Sequence, residues 1–104
     1  MIDGVFHVED PGPDTVLNGA FTRQKATIRN WIEPGPVAVG RYHLYAAWNC
    51  PWAHRVLLVR AFKGLQDQIT VAYARPQRTP DGWVYDADGE YADGLFGTSA
   101  LHQV

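Results

Sequence analysis

The one cysteine of the chain, Cys50, is the residue whose type and position best predict chemistry. It precedes Pro51, and proline is favoured at the first position of a helix. A sulfur placed there lies beside the unpaired N–H groups and the positive end of the helix dipole, which stabilise a thiolate. His54 and Arg55 follow one turn later and are expected to stabilise it further. Because the thiolate is the nucleophilic form, Cys50 is predicted to be a reactive cysteine.

Other uses of Cys50 stay open from the residues alone. The structural alternative is a buried cysteine that acts as a small hydrophobic side chain. An internal disulfide cannot form, because Ala53 stands where a second cysteine would be needed, so a redox cycle must take its second thiol from another molecule. Cys50 and His54 have the spacing of two metal ligands on a helix, but two further ligands are not evident, and no metal is predicted.

An aromatic residue, Trp83, follows Asp81-Gly82 in a region rich in turn-forming residues. In an exposed loop it could close over a planar or thiol ligand. The alternative is that it covers the edge of the hydrophobic core. The sequence leaves these two roles open.

The elements that must position Cys50 form a strand–helix–strand pattern. Alternation of apolar and polar residues predicts a strand over 41–47, and a second short strand is predicted over 69–74. Between them, residues 51–63 form a helix that Gly64 ends, with a wide apolar stripe that should lie against a sheet. Such a crossover normally joins parallel, neighbouring strands.

The two flanks of this unit carry weaker signals. Residues 1–40 are broken by proline and glycine and are predicted to be an irregular extension with one possible short helix around 25–32. Residues 75–100 are predicted to be a long loop with at most one hairpin. No third strand and no second long helix are evident after it.

Composition narrows the class of protein. The chain has 104 residues, 46% hydrophobic and 19% charged, which is typical of one globular domain. Its formal net charge of -2 and the lack of a basic cluster argue against nucleic-acid and anionic-membrane partners. No secretory signal is evident, and the longest apolar run, 56–59, is too short for a bilayer. With a single cysteine, these features predict a cytoplasmic protein.

The sequence around Cys50 closely resembles the glutathionyl-hydroquinone reductases, also called xi-class glutathione transferases. The resemblance is carried by Arg41-Tyr42-His43-Leu44-Tyr45, Asn49-Cys50-Pro51-Trp52-Ala53-His54-Arg55, Val59-Arg60 and Lys63-Gly64-Leu65. It covers about residues 17–104. A Cys-Pro-aromatic-Ala stretch is shared with omega-class glutathione transferases, whereas the Tyr-His-Leu-Tyr strand and the Trp-Ala-His-Arg helix start make the match specific.

The resemblance implies a fold and a chemistry. The fold class is α/β, a thioredoxin-like glutathione transferase N-terminal domain, here an incomplete β-α-β unit over 41–104. Cys50 matches the catalytic cysteine, which would remove glutathione from a glutathionyl-hydroquinone, with glutathione as cosubstrate and no metal. Trp83, Pro51 and Trp52 are the expected glutathione- or substrate-binding residues. Quinone-derived small molecules are the implied partners, and a homodimer is the implied full-length form.

The resemblance also implies elements that the sequence does not contain, above all an all-helical C-terminal domain. We therefore expect the chain to be the N-terminal portion of such an enzyme and to be marginally stable alone, with apolar strand and helix faces left bare. Two alternatives remain. One is an omega-like thioltransferase or dehydroascorbate reductase, and the other is a non-catalytic thioredoxin-like module.

Overall fold

The computed structural model describes residues 16–17, 19–21, 29–36, 38–77 and 79–104. The chain divides into two compact units, Met1–Gly35 and Pro36–Val104. The second unit contains Cys50 and all the other predicted site residues.

The first unit contains a short antiparallel pair within the extension predicted to be irregular. Strand β1 (Val16–Leu17) pairs with β2 (Ala20–Phe21), and Gly19 between them has a φ of 79°. This positive φ suits glycine, and the Asn-Gly pair that ends at Gly19 is a strong hairpin signal in the sequence that the prediction missed. Of the short helix predicted around 25–32, residues 25–28 lie outside the described residues, and residues 29–32 are not helical.

The second unit is built on the predicted strand–helix–strand pattern. Strand β3 spans Tyr42–Ala46, helix α1 spans Pro51–Phe62 and strand β4 spans Ile69–Tyr73. The two strands are parallel and in register from the Tyr42↔Ile69 pair to the Ala46↔Tyr73 pair. A 3-10 turn, Leu101–Gln103, ends the unit. The predicted fold class, an incomplete β-α-β unit, is confirmed.

The ends of α1 follow directly from its sequence. Cys50 is the N-cap in extended geometry, and Pro51 opens the helix. At the other end, Gly64 has a φ of 64°, its N–H donates to the Ala61 carbonyl (3.0 Å), and the Leu65 N–H donates to the Arg60 carbonyl (2.9 Å). These two bonds form a Schellman motif, which glycine favours because it adopts a positive φ without strain.

The core of the second unit lies on the sheet and under the segment 75–104. Its buried apolar residues are Ala46, Ala47, Ala72, Ala74, Tyr85 and Ala100. Five of them are alanines, so the aromatic ring of Tyr85 supplies most of the buried side-chain volume. Half-buried Trp83 and Leu101 pack against this cluster.

The segment 75–104, which includes the predicted loop 75–100, is closely tied to itself by backbone hydrogen bonds. The Arg75 N–H donates to the Val84 carbonyl, the Tyr85 N–H to Ser99 and the Leu101 N–H to Trp83, each at 2.9 Å. Val84 and Ala100 form an antiparallel bridge. Because these bonds satisfy the backbone, the segment can bury side chains without regular strands.

The apolar face of α1 differs from the prediction that it lies against a sheet. The helix has no buried residue, and the exposed fractions of Val59 and Phe62 are 56% and 84%. Its apolar residues are spread around the helix, so a sheet of two strands covers only a small part of them. Arg60 links the helix to the start of strand β4, because its Nε donates to the Ile69 carbonyl at 2.7 Å.

Within the described residues, no helix is long and apolar enough to cross a membrane.

Candidate active site

The backbone of Cys50 lies in a tight turn between β3 and α1. Its N–H donates to the Ala47 carbonyl, and its own carbonyl accepts the His54 N–H that starts the helical ladder, both at 3.0 Å. The side chain is half-buried. Its sulfur makes no capping hydrogen bond to the first turn of α1. Cys50 therefore stands at the predicted position, at the start of the helix, and its sulfur is not bonded to the first-turn N–H groups.

Two contacts fix this turn to the end of β4. The Asn49 side-chain amide donates to the Pro76 carbonyl at 2.7 Å. The rings of Trp48 and Tyr73 stack, with centroids 4.1 Å apart and planes 6° from parallel. Since β3 and β4 are parallel, both of their carboxyl ends meet here and hold the cysteine turn from two sides.

A partly enclosed cavity of about 70 Å³ lies beside Cys50. Three aromatic side chains line it, those of Tyr45, Trp83 and Tyr85. The remaining walls are Leu101 and the alanines 46, 47, 53 and 74. Such a surface is apolar and suits a planar ring rather than a charged group.

The structure brings two of the predicted site residues together and leaves the others apart. Cys50 and Trp83 line the same cavity. Pro51, Trp52, His54 and Arg55 are exposed and are not among the residues that line it. The role of His54 and Arg55 in stabilising a thiolate, and that of Pro51 and Trp52 in binding glutathione, stay predictions.

The outward side of α1 forms a second, open depression. It is lined by Trp52, Arg55, Val56 and Val59 and has a volume of about 430 Å³. The Arg55 guanidinium lies over the Trp52 ring, 5.4 Å from its centroid, in a cation–π contact. Arg55 thus points its charge at the indole.

Sequence reasoning missed a buried carboxylate, Asp93, which is 5% exposed. Its Oδ1 accepts hydrogen bonds from the Leu95 N–H (3.0 Å), the Phe96 N–H (3.4 Å) and the Tyr45 hydroxyl (3.2 Å). Its Oδ2 accepts from the Thr98 N–H (3.1 Å) and hydroxyl (2.7 Å). An Asp-Gly pair was available as a turn signal, but sequence spacing alone does not reveal a partner 48 residues away on a strand.

Burial and hydrogen bonding set the protonation of this group and its neighbours. Burial alone would raise the pKa of Asp93, but the hydrogen bonds from Thr98 and from the backbone outweigh it and lower that pKa well below 3.8. Burial, with the negative charge of Asp93, raises the pKa of Tyr45. Burial also raises the pKa of Tyr85 to about 12. At neutral pH the carboxylate is therefore charged and both phenols are protonated.

The Tyr85 hydroxyl is buried and has no hydrogen-bond partner among the described residues. Its ring lines the cavity, and Tyr85 lies two residues after Trp83 in the sequence. A metal site is not formed by the part of the chain that the structure describes, where no three His, Cys, Asp or Glu side chains cluster.

Comparison with known proteins defines the class. The family described as "Glutathione S-transferase, N-terminal domain" matches residues 49–92. The glutathione S-transferase Xi of Phanerochaete chrysosporium superimposes with a TM-score of 0.70 and 38% identity, over 80% of this chain and 29% of that one. The chain therefore has the fold of a thioredoxin-like glutathione transferase N-terminal domain.

The particular relatives are reductases. Glutathionyl-hydroquinone reductase YqjG of Escherichia coli is 38% identical over 118 residues, covering 100% of this chain and 35% of the relative. Glutathionyl-hydroquinone reductase PcpF of Sphingobium chlorophenolicum is 39% identical over 107 residues, covering 100% of this chain and 34% of the relative. A glutathione-bound structure of YqjG superimposes with a TM-score of 0.59 and 38% identity, over 64% of this chain and 22% of that one. The resemblance to the N-terminal portion of the glutathionyl-hydroquinone reductases is confirmed, and the chain spans about a third of their length.

Proposed function

We propose that the chain carries the nucleophile of a glutathione-dependent reductase that removes glutathione from glutathionyl-hydroquinones. The Cys50 thiolate attacks the glutathionyl sulfur, the carbon–sulfur bond to the ring breaks, and the ring carbon takes a proton. The hydroquinone is released, and a Cys50–glutathione disulfide forms. A second glutathione then attacks this disulfide, restoring the thiol and leaving glutathione disulfide. The ring carbon is reduced, and the two glutathione sulfurs are oxidised.

One observation carries this proposal. Cys50 starts a helix directly after a parallel strand and opens on an aromatic cavity, in a chain 38% and 39% identical to two glutathionyl-hydroquinone reductases over its whole length. Residues 1–104 offer Cys50 no second cysteine, which favours resolution by an external thiol, and glutathione is bound in the structure of the relative YqjG.

The neighbouring residues have distinct proposed roles. Trp83 closes one wall of the Cys50 cavity and packs beside the glutathionyl group. Pro51 and Trp52 contact glutathione from the helix start, and His54 and Arg55, on the first turns of the same helix, favour the thiolate. We further propose quinone-derived substrates, a homodimeric enzyme and a cytoplasmic site of action, where a reducing glutathione pool supplies the resolving thiol.

The test compares the protein with its Cys50→Ala variant in turnover of glutathionyl-menadione with glutathione. We expect the variant to lose activity, because the bond to sulfur can no longer form. Intact mass after one turnover without added glutathione should show one glutathionyl group on the wild type and none on Cys50→Ala. Wild type alkylated at Cys50 is the matched control and should be equally inactive.

A panel of substrates separates the alternatives. Faster reduction of dehydroascorbate or of a small mixed disulfide than of glutathionyl-menadione would favour an omega-like thioltransferase. Activity that survives in Cys50→Ala would reject both reactions. A folded protein that forms no mixed disulfide with any of these substrates would identify a non-catalytic module.

A further inference from the structure

We propose that Asp93 is a positioning residue for the Cys50 cavity, acting through the hydroxyl of Tyr45 to fix the aromatic wall formed by Tyr45 and Tyr85. This inference rests on the proposed function, since it concerns the same cysteine. Asp93 does not line the cavity, and its action is therefore indirect.

The first step of the argument is that Asp93 is itself rigidly held. Its carboxylate accepts four hydrogen bonds from its own loop, from the N–H groups of Leu95, Phe96 and Thr98 and from the Thr98 hydroxyl. It is 5% exposed. A charged group with this number of donors has one stable orientation, which fixes the direction in which Oδ1 can accept a further bond.

The second step is that this further bond leads to the cavity. The Tyr45 hydroxyl donates to Oδ1 at 3.2 Å across 48 residues of sequence. The Tyr45 ring meets the Tyr85 ring edge to face, with centroids 5.8 Å apart and planes at 61°. On its other side it meets the His43 ring, at 4.7 Å. Tyr45 is thus held at its hydroxyl by Asp93 and at its ring by two neighbours.

The third step is that both phenol rings form the wall that faces Cys50. Tyr45, Tyr85 and Cys50 line one cavity of about 70 Å³. If the Tyr45 hydroxyl loses its acceptor, the ring becomes free to rotate away, and the Tyr85 ring loses its edge contact. The expected consequence is a less ordered wall, which discriminates less well between planar aromatic and aliphatic groups presented to the sulfur.

The test is the selectivity of Cys50 towards two maleimides that share one electrophile, N-phenylmaleimide and N-ethylmaleimide. Their rate constants are measured by intact mass for the native protein and for the protein in urea. Dividing the phenyl-to-ethyl ratio by its value in urea removes both the intrinsic reactivity of the reagents and that of the thiol. We expect this normalised ratio to be about three in the wild type. One aromatic contact between the phenyl ring and the wall stabilises the bound reagent by an amount of this order.

Three single variants and one double variant test the proposed path from Asp93 through Tyr45 to the cavity. Asp93→Ala, which removes the acceptor of the Tyr45 hydroxyl, and Tyr45→Phe should each bring the normalised ratio close to one. Asp88→Ala, a change at an exposed acidic residue of the same segment, should leave the ratio unchanged. The double variant of Asp93 and Tyr45 should show no further fall, because both changes interrupt the same path. If Asp93→Ala does not fold, Tyr45→Phe still tests the inference, since it removes only the hydroxyl.

Two results would overturn the inference. One is a lower melting temperature in Asp93→Ala with an unchanged ratio, which would mean that Asp93 contributes to stability alone. The other is a wild-type ratio of one, which would mean that the aromatic wall does not contact the reagent. The reaction with either maleimide requires neither glutathione nor turnover. A wild-type ratio of about three in a protein that is inactive on glutathionyl-menadione would therefore reject the proposed function and leave this inference standing.

Discussion

Helix α1 satisfies its own backbone and buries no side chain, whereas the segment 75–104 has almost no regular structure and supplies buried Tyr85, Asp93 and Ala100. The helix is specified by its two ends, a proline at the start and a Schellman motif at the stop. The irregular segment is specified by contacts between residues far apart in sequence, such as the bond between Tyr45 and Asp93.

This difference shows that regularity and burial are separate properties in this domain. Local hydrogen bonds are enough to make α1 a helix, but they place none of its residues in the core. In the segment 75–104, hydrogen bonds that the Asp93 carboxylate accepts replace a regular ladder and allow rings to be buried. The stability of the Cys50 cavity therefore depends more on the irregular segment than on the helix that carries the cysteine.

The largest effect expected from this comparison comes from Asp93→Ala. The change leaves the part-buried N–H groups of Leu95 and Thr98 without their charged acceptor, and we expect a loss of about 3 kcal/mol in the free energy of unfolding. Asp88→Ala is the matched control, because Asp88 is exposed, and should change stability by less than about 0.5 kcal/mol. Urea unfolding followed by tryptophan fluorescence measures both. Equal effects in the two variants would contradict the role given to Asp93.

A smaller effect is expected from acid. The folded state lowers the pKa of Asp93 below 3.8, so the folded protein binds fewer protons there than the unfolded chain does. Its contribution to stability is full above pH 3.8 and is lost as the pH falls below that value. The urea midpoint should therefore fall more steeply on acidification in the wild type than in Asp93→Asn. Parallel pH profiles of the two proteins would show that Asp93 is not the titrating group.

The smallest effect is expected on the outer face of α1. Phe62 is 84% exposed, so Phe62→Ser should change the free energy of unfolding by less than about 0.5 kcal/mol. Leu101 packs against the core at the other end of the unit, and Leu101→Ser should cost about 1–2 kcal/mol. Thermal melts of the two variants sharpen the comparison. A larger loss from Phe62→Ser would mean that the exposed helix face is covered in the protein in solution.

Much of the fold could be predicted from the sequence because its signals are local. Alternation in 42–46, Pro51 at the helix start and Gly64 at its stop give elements whose bounds differ from prediction by one residue. The N-terminal hairpin had an equally local signal, the Asn-Gly turn before Ala20, which the prediction passed over. The apolar composition of α1 led to a wrong prediction about its packing. Apolar residues lie on several sides of this helix and do not indicate which side packs against the sheet.

The site could be predicted only as far as its cysteine and its tryptophan. Cys50 and Trp83 carry signals of residue type and position, and both line the observed cavity. Tyr45, Tyr85 and Asp93 could not be assigned to the site, because a strand tyrosine and an Asp-Gly pair have many ordinary uses. These three residues come together because strand β3 and the irregular segment 75–104 approach each other closely. No short-range sequence pattern predicts that approach.

The bond from the Asn49 amide to the Pro76 carbonyl has a dynamic consequence. It joins the turn that holds Cys50 to the exit of β4, so the amide of Cys50, bonded to Ala47, and that of Ala74, bonded to Ala46, lie within one linked structure. We therefore expect the opening of the two amides to be coupled. On the timescale of hydrogen exchange, loss of the Asn49 amide in Asn49→Ala should speed the exchange of both.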